Sequence, residues 1–199
     1  MSNFFDLVDV NNRIKYDDLK TEIAAMPLLE FMQEVGMPFL IGKELFGGDM
    51  FKGADATDTS TMRFSMSGVK AALDIDTQSS HSSPTSGSAI SRAVYIVTKG
   101  SHSNEERRNL ITIGRASTND ITIADYVISK SHAMIHCTAG RFFIEDLGST
   151  NGVKVDGIPI NSGEKVQLTP GVDVSFGRYC FVFTKPMDLY NKIRKEVAG

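Results

Sequence analysis

Between residues 93 and 184 the chain is cut by a turn signal about every ten residues, and this limits what it can fold into. Asn119-Asp120, Ala139-Gly140, Asp156-Gly157, Ser162-Gly163 and Pro170-Gly171 bring residues that accept or pre-set tight turns. Between them lie short apolar or alternating runs at 93–98, 110–113, 120–123, 133–137, 142–145, 153–155, 165–168, 172–176 and 180–184. None of these is long enough for a stable helix, and each suits a strand. Many short strands with no helical stretch between them predict an all-β sandwich over residues 92–185. A parallel α/β sheet is disfavoured, because its strands need long crossovers.

The flanks read differently. Residues 1–53 are expected to be an acidic helical region. Leu19, Ile23 and Met26 recur at three- and four-residue steps through a helix from Tyr16 to Ala25. Pro27 opens a second short helix with Leu28, Phe31, Met32 and Val35 on one side and Gly36 as its stop. Two short helices with this much apolar surface need a cover, either the β domain or a partner protein. Residues 54–91 are rich in Ser and Thr and poor in aromatics. Such a stretch buries too little surface to offset the entropy of ordering and is expected to be a linker. Residues 186–199 predict a C-terminal helix, with Asp188 in its first turn and Lys192, Arg194 and Lys195 toward its end, where the helix dipole favours cations. Leu189, Tyr190, Ile193 and Val197 give it an apolar stripe.

Charge excludes some function classes. The net charge is −3, which gives no basis for a nucleic-acid or membrane-surface partner. Residues 1–88 hold 7 Lys/Arg against 13 Asp/Glu, a net of −6, and residues 89–199 hold 14 against 11, a net of +3. Cys137 and Cys180, the only cysteines, lie in apolar strand-like runs and are expected to be buried free thiols in a reducing compartment. The first residues lack a basic start and a long apolar stretch, and no run approaches the ~20 apolar residues of a spanning helix. The expectation is a soluble cytoplasmic protein without membrane insertion.

Three loop blocks in the basic half carry the chemistry. The first is Gly114-Arg115, where glycine is expected to allow a turn and the guanidinium can fork onto phosphate oxygens. The second is Ser129-Lys130-Ser131-His132: a hydroxyl donor, a point charge, and a histidine expected to be a buried structural group. The third is Ser149-Thr150-Asn151-Gly152, in which Asn151-Gly152 is a tight-turn signal and the Asn amide can both donate and accept. An Arg, a Lys and a few neutral donors roughly match a phosphate carrying about −1.5 to −2 charges. No nucleophile–base pair accompanies them, so a binding module is expected rather than an enzyme. No metal or cofactor is expected: His81, His102, His132 and His136 form no ligand pattern with the two cysteines. Gly42-Lys43-Glu44 lacks the glycine-rich loop and hydroxyl of a P-loop.

In order and interval, Ile113-Gly114-Arg115, Asn119-Asp120-Ile121, Ile128-Ser129-Lys130-Ser131-His132-Ala133, Asp146-Leu147-Gly148-Ser149-Thr150-Asn151-Gly152 and Phe176-Gly177 resemble the forkhead-associated (FHA) family, specifically a bacterial-type protein with a single such domain. Lys130 stands where the family often has Arg, which keeps the charge and loses the bidentate fork. The resemblance covers residues 92–185. It implies an FHA-type β-sandwich of about eleven strands whose end loops grip a phosphothreonine in an extended peptide. By the family pattern Arg115 and Ser129 would bind the phosphate, Thr150 and Asn151 the peptide with help from Lys130, and Gly114, His132 and Gly152 would shape the loops. The implied partner is a phosphothreonine-containing protein, a Ser/Thr kinase or its substrate, and the implied role is a signalling adaptor or regulator. Thr59 and Thr61, in a Thr cluster beside Asp58, faintly resemble the phosphorylated segments that precede some bacterial FHA regulators. Their phosphorylation would let the domain bind its own chain. The alternative is a structural adaptor that docks partners through its N-terminal helices independently of phosphorylation.

Overall fold

The computed structural model describes residues 3–46, 89–90, 92–100 and 109–199. Thr59, Thr61 and most of the expected 54–91 linker lie outside the described residues.

Twelve strands and four α-helices are described, together with a 3-10 turn at Phe4–Leu7. In chain order they are β1 (Arg13–Ile14), α1 (Tyr16–Ala25), α2 (Leu28–Glu34), β2 (Phe39–Gly42), α3 (Lys43–Phe46), β3 (Val94–Ile96), β4 (Leu110–Gly114), β5 (Ile121–Thr122), β6 (Ala133–Thr138), β7 (Arg141–Asp146), β8 (Val153–Val155), β9 (Ile158–Pro159), β10 (Lys165–Leu168), β11 (Asp173–Phe176), β12 (Tyr179–Thr184) and α4 (Pro186–Ala198). One sheet has the order β1-β3-β2-β12-β11-β8-β9 and the other β10-β7-β6-β4-β5. All pairings are antiparallel except the short β4–β5 pair. This is the expected β-sandwich; ten of the twelve described strands lie within residues 92–185, and β1 and β2 come from the N-terminal region.

The sandwich carries a third layer. One apolar core lies between the sheets and includes Ile111, Ile113, Ile135, Ile144, Phe176, Phe181 and Phe183. A second lies on the other side of the seven-stranded sheet, where Phe4, Leu19, Ile23, Phe31, Leu189 and Ile193 pack on Phe39, Ile41, Val94 and Ile96. The apolar faces of α1, α2 and α4 therefore cover the protein's own sheet. Phe31 meets Phe4 edge-on at 5.6 Å and Tyr190 at 5.4 Å. Tyr190 donates its hydroxyl to Met26 O at 2.9 Å, and Arg194 Nη1 donates to Ala24 O at 2.7 Å, so α4 satisfies carbonyls left open where α1 stops. Met26 is extended, as a residue before proline is driven to be, and this divides α1 from α2.

Phe39-Leu40-Ile41, which the sequence placed in the helical N-terminal region, forms β2 and sits inside the seven-stranded sheet. It pairs with β12 on one side (Phe39 with Thr184, Gly42 with Phe181) and with β3 on the other. The expected domain boundary at residue 92 thus runs through a sheet rather than between two units. The physical reason is burial on both faces. Leu40 and Tyr95 point into the inter-sheet core while their neighbours point at the helices, so these strands read as unbroken apolar runs without alternation. Both cysteines are free thiols, as expected, but half-buried rather than buried. Among the described residues no helix is long and apolar enough to cross a membrane.

The registers also fix which end of the sandwich is which. Gly42 lies opposite Phe181, close to the β11–β12 turn at Gly177-Arg178, and its N–H donates to Ala93 O at 2.7 Å. The described chain therefore leaves β2 and returns to β3 at the same end as that turn. Gly114 at the end of β4 and Ala133 at the start of β6 belong to this end too, through the link from His132 to Gly152 and on to Gly177.

Candidate functional site

Three loops meet at this end, and backbone hydrogen bonds join the first two. Arg115 N–H donates to Ser129 O at 2.9 Å, and Ala116 N–H to Lys130 O at 3.2 Å. The Asn119 amide ties the same pair of loops, donating at 2.7 Å to both Ala116 O and Lys130 O. This close approach explains Gly114. Its backbone is not in the left-handed region, as the turn argument expected. Instead, a Cβ there would overlap the Lys130 carbonyl oxygen and stand 2.8 Å from Asn119 Nδ2. Glycine is required for space, not for dihedral freedom.

Arg115 is exposed at the head of this crossing, and its Nε donates to Ile128 O at 3.1 Å, which aims the guanidinium without spending its outer edge. Ser129 Oγ accepts from Thr150 N–H at 3.0 Å and lies 3.4 Å from Thr150 Oγ1. Two hydroxyls from different loops thus stand side by side. Lys130, next to Ser129 in the chain, is exposed. Asn151 is exposed and donates Nδ2–H to Val127 O at 2.7 Å, which leaves its carbonyl oxygen and one amide hydrogen for a ligand. Gly152, with φ 73°, takes the left-handed conformation that closes the Asn-Gly turn.

His132 is wholly buried beneath this set. Its Nδ1 accepts from Ser129 N–H at 3.0 Å and its Nε2 faces Gly152 O at 3.2 Å, so the ring is neutral with the proton on Nε2. Burial holds its pKa below the ordinary 6.5, against the pull of the Gly152 carbonyl and Asp146. The Phe176 ring stands edge-on to it at 5.8 Å. The imidazole is a cross-brace between the Ser129 and Gly152 loops and is shut off from any ligand.

The fold thus brings Gly114, Arg115, Ser129, Lys130, His132, Thr150, Asn151 and Gly152 to one place. Two buried carboxylates that sequence reasoning left without a role brace the same loops. Asp120 accepts from Thr112 N–H, Thr112 Oγ1, Lys99 Nζ and Gly100 N–H at 2.8–3.0 Å and so holds the foot of the 115–119 loop. Asp125 accepts from Val127 N–H at 2.9 Å, Tyr179 OH at 2.7 Å and Arg178 Nη2 at 3.0 Å. Burial pushes both carboxyls up, but the donors outweigh it and hold each below its usual value. The sequence marks Asn119-Asp120 as a turn and as part of the family pattern but gives neither residue a role; an Asp among Ile, Thr and Asn near the site loops is the available signal. Among the described residues no group of three or more His, Cys, Asp or Glu could hold a metal ion.

A family model for the FHA domain matches residues 111–177, the segment that holds all these loops. The chain is similar to the oxoglutarate dehydrogenase inhibitor of Corynebacterium efficiens, with 35% identity over 72 residues, 36% of this chain and 49% of that protein. It is similar to the glycogen accumulation regulator GarA of Mycolicibacterium smegmatis, with 34% identity over 70 residues, 35% of this chain and 42% of that one. A solved FHA domain, that of the CT664 protein from Chlamydia trachomatis, is 28% identical over 46% of this chain and 84% of that one, with a TM-score of 0.38. The chain spans about half the length of the curated relatives it matches, or somewhat less. The matched segment, residues 111–177, carries the loop set described above and is similar to an FHA domain.

Proposed function

We propose that the loop cluster binds phosphothreonine in an extended peptide, and that the protein is a signalling adaptor or regulator downstream of a Ser/Thr protein kinase. The observation that carries this reading is the meeting of Arg115, Ser129 and Thr150 above a wholly buried neutral histidine. One guanidinium, one ammonium from Lys130 and two hydroxyls answer a dianionic group with three acceptor oxygens. Asn151 holds the peptide main chain as donor and acceptor. The names of the relatives, an enzyme inhibitor and a metabolic regulator, support control by binding rather than catalysis.

Arg115→Ala is expected to cost about 2–5 kcal/mol of phosphopeptide affinity, read by calorimetry with phosphothreonine, phosphoserine and unmodified peptides on the full chain. Near-normal affinity in that variant rejects the reading. Affinity should also weaken as the pH drops through about 6, where the phosphate takes up its second proton. A profile flat from pH 7.5 to 5.5 counts against a dianionic ligand.

The finer reading is that phosphorylated Thr59 or Thr61 occupies the same cup in cis. It is supported by the place where the described chain leaves β2 and rejoins β3, at the loop end of the sandwich. A tether anchored there raises the local ligand concentration toward about the millimolar range. Kinase-treated protein should then lose binding of added phosphopeptide, and Thr59→Ala with Thr61→Ala should restore it. Equal binding before and after phosphorylation overturns the cis arrangement and leaves the cup itself standing.

A further inference from the structure

Tyr126 and Arg178 stand beside the cup and have no part in the binding mode above. Tyr126 is 80% exposed, a large ring left in solvent. The Arg178 guanidinium lies 5.4 Å from the centre of that ring and 5.0 Å from the centre of the Tyr179 ring. One corner of it is fixed: Nη2 donates to Asp125 Oδ2 at 3.0 Å and to Tyr179 OH at 2.8 Å. The Arg178 side chain is nonetheless 49% exposed, and among the described residues nothing accepts from its Nε or Nη1. An arginine held against two tyrosines and one buried carboxylate has little rotamer freedom left to lose, so a ligand that meets its open edge binds a preorganised group. Asp125 does not cancel that edge. Its carboxylate is buried and shared among the Val127 amide, the Tyr179 hydroxyl and Arg178.

The pair is placed along the row of cup residues. Tyr126 precedes Val127, whose carbonyl holds the Asn151 amide. Arg178 follows Gly177, whose N–H donates to Gly152 O and where an added Cβ would stand 3.3 Å from the Asn151 Cβ. The series Arg115, Ser129, Thr150, Asn151 therefore continues onto Tyr126 and Arg178. We propose that Tyr126 and Arg178 form a second contact point that selects an acidic side chain flanking the phosphothreonine, its carboxylate meeting the open guanidinium edge over the tyrosine ring. This rests on the phosphothreonine reading of the cup.

The test scans aspartate through each position on either side of a fixed phosphothreonine in an alanine background, against the full chain and its Arg178→Gln and Tyr126→Ala variants. A flanking aspartate at one position should tighten binding about three- to tenfold, and added salt should erode the gain. Arg178→Gln should abolish that gain, read as the ratio of aspartate-bearing to all-alanine affinity within the variant because Arg178 also donates to the bracing Asp125; Tyr126→Ala, at an exposed position, should reduce it. The inference is overturned if no position prefers aspartate, if the gain survives Arg178→Gln, or if that variant weakens every peptide alike. Loss of the aspartate preference with phosphothreonine binding intact sinks only this inference. Failure of every phosphopeptide to bind sinks the cup reading and takes this inference with it.

Discussion

The helical layer and the loop cluster are built from different materials. The layer is apolar contact: Phe4, Phe31, Tyr190 and Ile193 wedged against a sheet face, with few hydrogen bonds between elements. The cluster is almost all hydrogen bonds, many of them from side chains to carbonyls of a neighbouring loop. Most of the groups proposed to meet the peptide, Arg115, Lys130, Thr150 and Asn151, are exposed. The difference teaches that stability and the proposed recognition are held in separate places, and that substitutions should divide accordingly.

The hardest attempt to break this division removes the layer. Residues 89–199 alone lack β2, which leaves β3 and β12 without their shared neighbour and uncovers the outer face of the sheet. This fragment is expected to show no cooperative thermal unfolding by circular dichroism. A sharp native-like transition would mean the layer is dispensable. Within the intact chain, Phe31→Ala should cost about 3–5 kcal/mol of stability in urea unfolding, with phosphopeptide affinity of the folded fraction unchanged. Gly114→Ala is the case where the two properties should fail together. Its Cβ pushes on Lys130 O and Asn119, so about 1–3 kcal/mol of stability and much of the binding should go at once.

Acid probes the braces between loops. Burial holds His132 below 6.5 in the folded state, so the unfolded chain takes up its proton first as the pH falls. The contribution of the neutral ring is full above pH 6.5 and is lost progressively below it. Asp120 and Asp125 sit below the ordinary 3.8, and their contributions disappear only in stronger acid. Urea midpoints should therefore already drop between pH 7 and 5.5, and a constant midpoint would detach His132 from the loops. The smallest effect sharpens the comparison most: Arg115→Ala, which removes an exposed side chain, should move stability by no more than about 0.5 kcal/mol.

The inner strands of the sandwich and the loop set were legible because both depend on local chemistry. Turn residues mark where β6, β7, β8 and β10 begin and end, and the Pro27 and Gly36 signals bracket α2 to within a residue or two. β2 was not legible: a strand buried on both faces has no alternation to betray it, and its partners lie far away in the chain. β1 and β9, with two residues each, are set by their neighbours rather than by pattern. At the proposed site, the loop residues that the fold brings together could be named from sequence, but the reasons for their placement could not. Gly114 serves close approach between loops, and the bracing roles of Asn119, Asp120 and Asp125 depend on carbonyls and amides brought together only by the fold.

The inserted position of β2 has a consequence for how the chain is made. Its neighbour at Val94 is synthesised long after it, and Thr184 later still. Until then a short strand of Phe, Leu, Ile and Gly waits with both edges open. That is the sort of segment foreign chains pair with, and its distant contacts make docking slow. The nascent polypeptide should therefore depend on chaperones to shield β2 far more than the finished molecule does.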